Sequence, residues 1–340
     1  MTATITVTAP GFCTTVQDAG RPARQSLGVP QSGVMDPLAM AAANALVGNP
    51  AGAAVLELCH VGPGLEIGEE PVRVAVVGGD AAIRRGDGEI VPASRSVTLA
   101  AGEKVSVRAP QSATYAVLAL SGGVDLAPVM GSHSTFLRGG FGGLGGRPLA
   151  AGDTLRAAAA QAGAPDLELA GDLPYGEGPI RVVLGPQADC FDDDNVAAFL
   201  SNDYAVSRES DRMGMRLAGP PLKHAGGYDI ATDGVVNGSI QVPGNGLPVI
   251  LLADRQTTGG YPKIATVISC DLPRLGQMKP GAALRFAAVG VEEAVAARRA
   301  QARMLDELCR APRPVRHSGA IDVEALLREN IISGVVGWDD

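Results

Sequence analysis

The chain repeats itself, and that repetition constrains its fold more than any other feature. Near the start, Gly28-Val29-Pro30-Gln31 is followed by Asp36, and in the second half Leu184-Gly185-Pro186-Gln187 is followed by Asp192, each aspartate five residues beyond its glutamine. Each aspartate opens a predicted helix. Asp36 reads as an N-cap, with Pro37 at the first helical position, an Ala- and Leu-rich run, and Gly48 and Pro50 as stop signals. One of Asp192 to Asp194 caps a helix over Asn195 to Leu200. A Gly-Pro pair follows each helix, Gly62-Pro63 and Gly219-Pro220, and the halves close alike on Ala151 to Arg156 and Pro280 to Arg285. A paired order of this kind predicts two copies of one unit.

Between the landmarks lie short apolar segments: Val72 to Val77, Ser96 to Leu99, Val105 to Val107 and Tyr115 to Leu120, then Gly238 to Val242, Val249 to Ala253 and Ile264 to Ile268. Their Gly and Pro punctuation predicts a mainly β protein of antiparallel sheets closed into barrels, with few helices. The expected organisation is a first barrel over 1–158, a linker over 159–178, a second barrel over 179–290 and a helical tail over 291–340. The tail carries a helix from Val291 to Leu308, a second from Asp322 to Glu329, and an apolar end, Ile331 to Val336, suited to docking.

Composition removes several classes of function. With 46% hydrophobic and 19% charged residues the chain is globular, and a net charge of -8 without a strong basic cluster argues against nucleic acid. The densest basic stretch, Arg310, Arg313 and Arg316, reads as a solvated tail. No apolar run reaches membrane-spanning length, and the N-terminus lacks the pattern of a signal peptide. Five dispersed cysteines suit reduced thiols and a cytoplasmic setting. Without Cys-x-x-Cys or His-Glu-x-x-His spacing, no metal site is expected.

One connection is unusually polar. Asp254-Arg255-Gln256-Thr257-Thr258-Gly259-Gly260-Tyr261-Pro262-Lys263 separates two apolar runs that read as buried strands. A short turn would suffice there, and Leu118 to Gly123 supplies such a turn in the similar place of the first half. The second copy instead carries a carboxylate, a guanidinium, amides, hydroxyls, a phenol and an ammonium, which points to binding or catalysis. Other polar motifs are weaker. Asp18 and Arg21 stand on one turn, as do Asp211 and Arg212, suiting either a carboxylate clamp or a local ion pair. Ser32 lies in no nucleophile-elbow motif. Arg138 to Arg147 places six glycines between two arginines, an anion nest or a tight corner. It follows the wrong elements for a dinucleotide fold, and no Walker-type sequence occurs. Met278-Lys279 sits in a closing turn, so the chain is not a biotin carrier.

Together these motifs resemble one family, named allophanate hydrolase subunit 2, Kip antagonist or 5-oxoprolinase C-subunit. The resemblance rests on Thr15 to Arg21, Gly28 to Asp36, Asn44 to Pro50, Arg138 to Arg147, Ser210 to Gly214, His224 to Gly227, Val242 to Gly244 and Asp254 to Val267. His133 stands where the family pattern has arginine. The resemblance implies tandem cyclophilin-like β-barrels, a B-subunit or Kip-inhibitor-like partner and, for oxoprolinases, a large A-subunit. The implied activity is ATP-dependent opening of 5-oxoproline to glutamate. Two alternatives accompany it: a carboxyltransferase acting on a urea- or amide-like substrate with a biotin carrier in trans, and a non-catalytic antagonist of a kinase inhibitor. Under the first reading Asp254 orients or deprotonates the nucleophile, and Lys263 with the amides of Gly259 and Gly260 stabilises developing charge. Tyr261 packs over the ring, and Arg21 or Arg212 holds the substrate carboxylate. Asp18, Ser32, Gln241, Gln256, Thr257 and Thr258 complete the expected binding set.

Overall fold

The computed structural model describes residues 1–315. The expected helix at Asp322–Glu329, the apolar end and Arg316 lie outside the described residues. The protein is mainly β, built as two tandem barrels with few helices.

The first half folds as two sheets around one core. Strand Thr2–Ala9 alternates exposed threonines with buried Ala3, Ile5 and Val7, the period of two expected of a half-buried strand. Ile5 lies opposite Leu155 on one side and Ile67 on the other, which fixes the register of a six-stranded sheet. The facing seven-stranded sheet contains Val55–Cys59, Val72–Val77 and Tyr115–Leu120. Its outer face is covered by helix α1 (Pro37–Leu46), whose alanines allow close approach. As expected, Asp36 caps α1, accepting from the amides of Leu38 and Ala39 at 3.0 Å each. The Asn44–Pro50 motif proves architectural. Asn44 donates to the carbonyls of Ala51 and Ala53, while Asn49 clasps Leu120 and Gly122.

The second half is built on one curled sheet, with a separate two-stranded ribbon of Asp233–Gly234 and Thr258–Gly259. The eight strands of the curled sheet run in the order 283–284, 204–206, 214–218, 249–251, 239–241, 263–267, 180–184 and 286–288. The two outermost strands are separated in sequence by Arg285 alone, so the sheet must bend almost into a closed barrel. Helix α2 (Asp193–Ser201) is capped by Asp192, whose carboxylate accepts from the Asn195 amide at 2.8 Å. The two apolar runs flanking the polar connection form strands Val249–Leu251 and Lys263–Val267, but these are not neighbours. Strand Ser239–Gln241 lies between them, so the connection crosses over it instead of making a hairpin.

A six-residue helix, α3 (Leu272–Gln277), has no counterpart in the sequence reading. Helix α4 (Val291–Arg310) extends two residues beyond its predicted end and lies back along the molecule. Its buried Gln301 donates to Pro174 and Cys270 carbonyls, and the strand Arg313–Pro314 pairs with Leu167–Glu168. Both of these short strands join the first-half sheet. Segments that read as linker and tail therefore tie the halves together. Among the described residues, no helix is long and apolar enough to cross a membrane.

Candidate functional site

Two cavities flank the segment Ala253–Gln256, and consecutive residues serve them: Asp254 lines one and Arg255 the other. The first half supplies the opposite wall through the Gly28–Asp36 motif. Ser32 occupies the left-handed region at φ 56°, and Gly33 follows at φ 93°. This sharp path lets the Ser32 amide reach the Ala253 carbonyl at 3.1 Å, and the Gly33 carbonyl accept from Arg212 at 2.6 Å.

The larger cavity, about 440 Å³, lies between the halves. Methionines 35, 213, 215 and 278, with Leu275, give it an apolar wall. The polar floor is Glu57, Arg212 and Asp254. Arg212 Nε meets Asp254 at 2.8 Å, its Nη1 meets Glu57, and Glu57 also accepts from the Met35 amide at 2.6 Å. One guanidinium thus serves two carboxylates in a buried place. Burial opposes the charge on Arg212, but Glu57 and Asp254 outweigh it and hold the guanidinium protonated. Burial pushes Glu57 above the ordinary glutamate range, against the pull of Arg212. Cys13 and Cys59 also line the cavity, yet burial raises both thiols, Cys59 to about 12, so neither is a thiolate at neutral pH. Arg138 and the exposed Arg208 stand at the rim.

The smaller cavity, about 250 Å³, is bounded by Asp18, Gln31 and Ser32 from the first half and Asn237 and Arg255 from the second. Asp18 accepts from Ser132 Oγ at 2.6 Å, Ser134 Oγ at 2.5 Å, the His133 amide at 2.6 Å and the Gly20 amide at 2.8 Å. Burial alone would raise this carboxyl; the four donors overcome it and hold Asp18 below the usual aspartate range.

The expected site residues thus fall into separate places. Asp254 and Arg212 meet in the larger cavity, and Asp18 and Ser32 line the smaller one. Arg21 forms no ion pair with Asp18 among the described residues. It is 1% exposed, with its guanidinium 5.0 Å from the Phe141 ring and bonded to the Ser134 carbonyl. The glycine-rich segment packs over it as a tight corner. The amides of Gly140, Gly143 and Gly146 donate to the carbonyls of Phe136, His133 and Gly142 and hold that corner. A Cβ on Gly142 would come within 2.8 Å of Arg21. Asp211 binds the amides of Met213 and Gly214 while its neighbour Arg212 turns inward, so that pair is not a clamp either.

The rest of the polar connection forms a third cluster. Strand Thr258–Gly259 pairs with Asp233–Gly234, Gln256 donates to Gln241 at 3.2 Å, and the Thr257 and Gly260 carbonyls accept from Val235 and Ile230. Tyr261 is 40% exposed. Lys263 is buried and lines neither cavity; its Nζ binds Asp233 at 2.7 Å and the Gly234 carbonyl at 3.2 Å. Glu57 and Asn237 are the residues that sequence reasoning passed over, and Arg255, counted in the polar connection, received no role of its own. Glu57 left a usable signal, a lone charge inside the apolar run Val55–Cys59.

Comparison with known proteins agrees with this architecture. Residues 27–288 match the family described as carboxyltransferase domain, subdomain A and B, and the chain belongs to that family. It is 37% identical over 298 residues to the 5-oxoprolinase C-subunit of Escherichia coli, covering 88% of this chain and 95% of that one. It is 32% identical over 309 residues to urea amidolyase of Saccharomyces cerevisiae, covering 85% of this chain but 17% of that protein. The solved Kluyveromyces lactis urea carboxylase matches 90% of this chain and 29% of its own, with TM-score 0.82 and 30% identity.

Proposed function

We propose that this chain is the C-subunit of an ATP-dependent 5-oxoprolinase, acting with the A- and B-subunits in the cytoplasm to open 5-oxoproline to glutamate. The near end-to-end match to the E. coli protein supports that assignment. The observation that carries the site is the meeting of Asp254 with Glu57 across Arg212 at the floor of the larger cavity. In this reading Asp254, whose side chain is 7% exposed against 2% for Glu57, accepts the proton of the attacking nucleophile. Glu57 and Arg212 position it, and the apolar wall excludes water from the ring. Arg212 has its guanidinium bound to Glu57, Asp254 and Gly33, so it is not the substrate's carboxylate clamp. At the rim Arg138 lies 3.8 Å from Asp211, so Arg208 instead draws the anionic substrate in. Lys263, tied to Asp233, braces the Thr258–Gly259 strand and acts through it.

ATP would activate the stable lactam, but the residues here do not suit a triphosphate. The larger cavity is lined by three carboxylates, Glu57, Asp211 and Asp254, and three arginines. Arg212 is bound to Glu57 and Asp254, and Arg138 lies 3.8 Å from Asp211, which leaves Arg208 as the one cation of the three without an ion pair among the described residues. Arg147, outside the cavity lining, is committed to Asp153. We therefore assign nucleotide binding to the partner subunits. The similarity to urea carboxylase supports a second reading, transfer of a carboxyl group from a biotin carrier in trans. A biotinylated partner that co-purifies and is detected with streptavidin would favour it.

The test is turnover of 5-oxoproline and ATP by the assembled complex containing Asp254→Asn. Loss of general-base catalysis is expected to slow turnover by roughly 10²- to 10⁴-fold without changing assembly. Turnover at the wild-type rate in a normally assembled complex sinks the assignment of Asp254.

A further inference from the structure

Arg255 is a buried cation without a counter-ion. It is 3% exposed, its Nε reaches the Val235 carbonyl at 3.4 Å, and its Nη1 has no hydrogen-bond partner among the described residues. No carboxylate pairs with it among those residues. Burial lowers its hold on its proton, and no acid restores it. The same cavity contains two more buried atoms without partners, Ser32 Oγ and Asn237 Oδ1. Buried polar groups are normally satisfied, and buried charges paired. Trapped water would satisfy the hydroxyl and the amide, but it would leave the guanidinium unneutralised.

Asp18, on the cavity wall, does not fill that gap. Its oxygens already receive Gly20, Ser132, His133 and Ser134, and its carboxylate makes no ion pair with Arg255 among the described residues. Its negative charge does limit what can enter: it repels a dianion about twice as strongly as a monoanion at the same distance. A phosphate is disfavoured on that ground, and a carboxylate is favoured. The volume, about 250 Å³, admits a molecule the size of bicarbonate, acetate or a single-ring acid.

We propose that the smaller cavity binds a small carboxylate, received by the Arg255 guanidinium and the Ser32 hydroxyl. The site is separate from the Glu57–Arg212–Asp254 floor and does not depend on the reaction performed there. Ser32 is held at φ 56°, a conformation that suits glycine better than serine, so the hydroxyl is presented at a backbone cost. That cost is consistent with a hydroxyl kept for a ligand.

The experiment is isothermal titration calorimetry of the full chain with acetate, bicarbonate, L-glutamate and L-5-oxoproline. Neutral 2-pyrrolidinone and inorganic phosphate serve as the contrasting probes. At least one carboxylate is expected to bind, and the best of the four identifies the source; pyrrolidinone and phosphate are expected to bind at least tenfold more weakly. Arg255→Gln should weaken the best carboxylate at least tenfold. Ser32→Gly, which removes the hydroxyl while relieving the backbone, should weaken it severalfold and guards against a folding defect in the first variant. Both variants are to be checked for wild-type circular dichroism. Absence of binding by every carboxylate overturns the proposal. So does equal binding of pyrrolidinone or phosphate, or wild-type affinity in both folded variants.

Discussion

Two arginines serve the cavities on either side of the Ala253–Gln256 segment, and the protein treats them in opposite ways. Arg212 is surrounded by Glu57, Asp254 and the Gly33 carbonyl, so its charge is used entirely within the protein. Arg255 is further removed from water, at 3% exposed against 11% for the Arg212 side chain, and makes no ion pair among the described residues. The difference separates two uses of a buried guanidinium. The first organises carboxylates at the floor of a cavity; the second retains an unspent charge that a ligand can meet.

The largest effect should come from breaking the saturated centre. Arg212→Met leaves Glu57 and Asp254 buried without their cation, and is expected to destabilise the chain by roughly 3–5 kcal/mol in a urea titration. A loss below about 1 kcal/mol would mean that the two carboxylates find other partners, and the contrast with Arg255 would weaken.

Asp18 tests the wall of the other cavity. Asp18→Asn removes charge-assisted bonds from Ser132, Ser134, His133 and Gly20, and should cost about 1.5–3 kcal/mol at neutral pH. The folded-state pKa of Asp18 is depressed, so its stabilisation is complete above the unfolded value of about 3.9 and fades as pH falls through the folded value. Urea titrations of both proteins between neutral and acid pH should therefore converge at the acid end. A gap that stays constant to the lowest accessible pH would show that the aspartate's charge is not what the four donors stabilise.

The smallest effect belongs to Arg255. Replacing it with Met removes a buried charge that has no protein partner, so stability should be unchanged or higher by up to about 1 kcal/mol, in contrast to Arg212→Met. A loss comparable to that of Arg212→Met would show that Arg255 is paired within the protein after all.

Local signals made the repeated helices legible in the sequence. Asp36 caps the helix it is expected to cap, and of the three candidates Asp192 to Asp194 it is Asp192 that caps the second, because an N-cap bond reaches only two or three residues along the chain. Strands Val72–Val77 and Tyr115–Leu120 were equally plain, being long and apolar. The short strands Ala82–Arg85 and Ile90–Pro92 left too little pattern, and α3, of six residues, is barely longer than a turn. At the site, Asp254 stood out because its connection was too polar for a turn. Glu57 stood unread in strand Val55–Cys59, since nothing near it in sequence indicates that Arg212 will arrive from the other half.

By itself, then, the sequence determined the duplication, the mainly β class, the capped helices and the polar excess of the connection around Asp254. These follow from periodicity, capping and turn chemistry, all of which act over a few residues. Only the tertiary structure decided which arginine is satisfied and which is not. It also decided that the connection crosses a strand, that Lys263 faces Asp233, and that Asp254 and Arg255 serve different cavities. Each of those outcomes depends on how two distant segments meet, and burial and charge pairing act on that meeting, not on the order of residues along the chain.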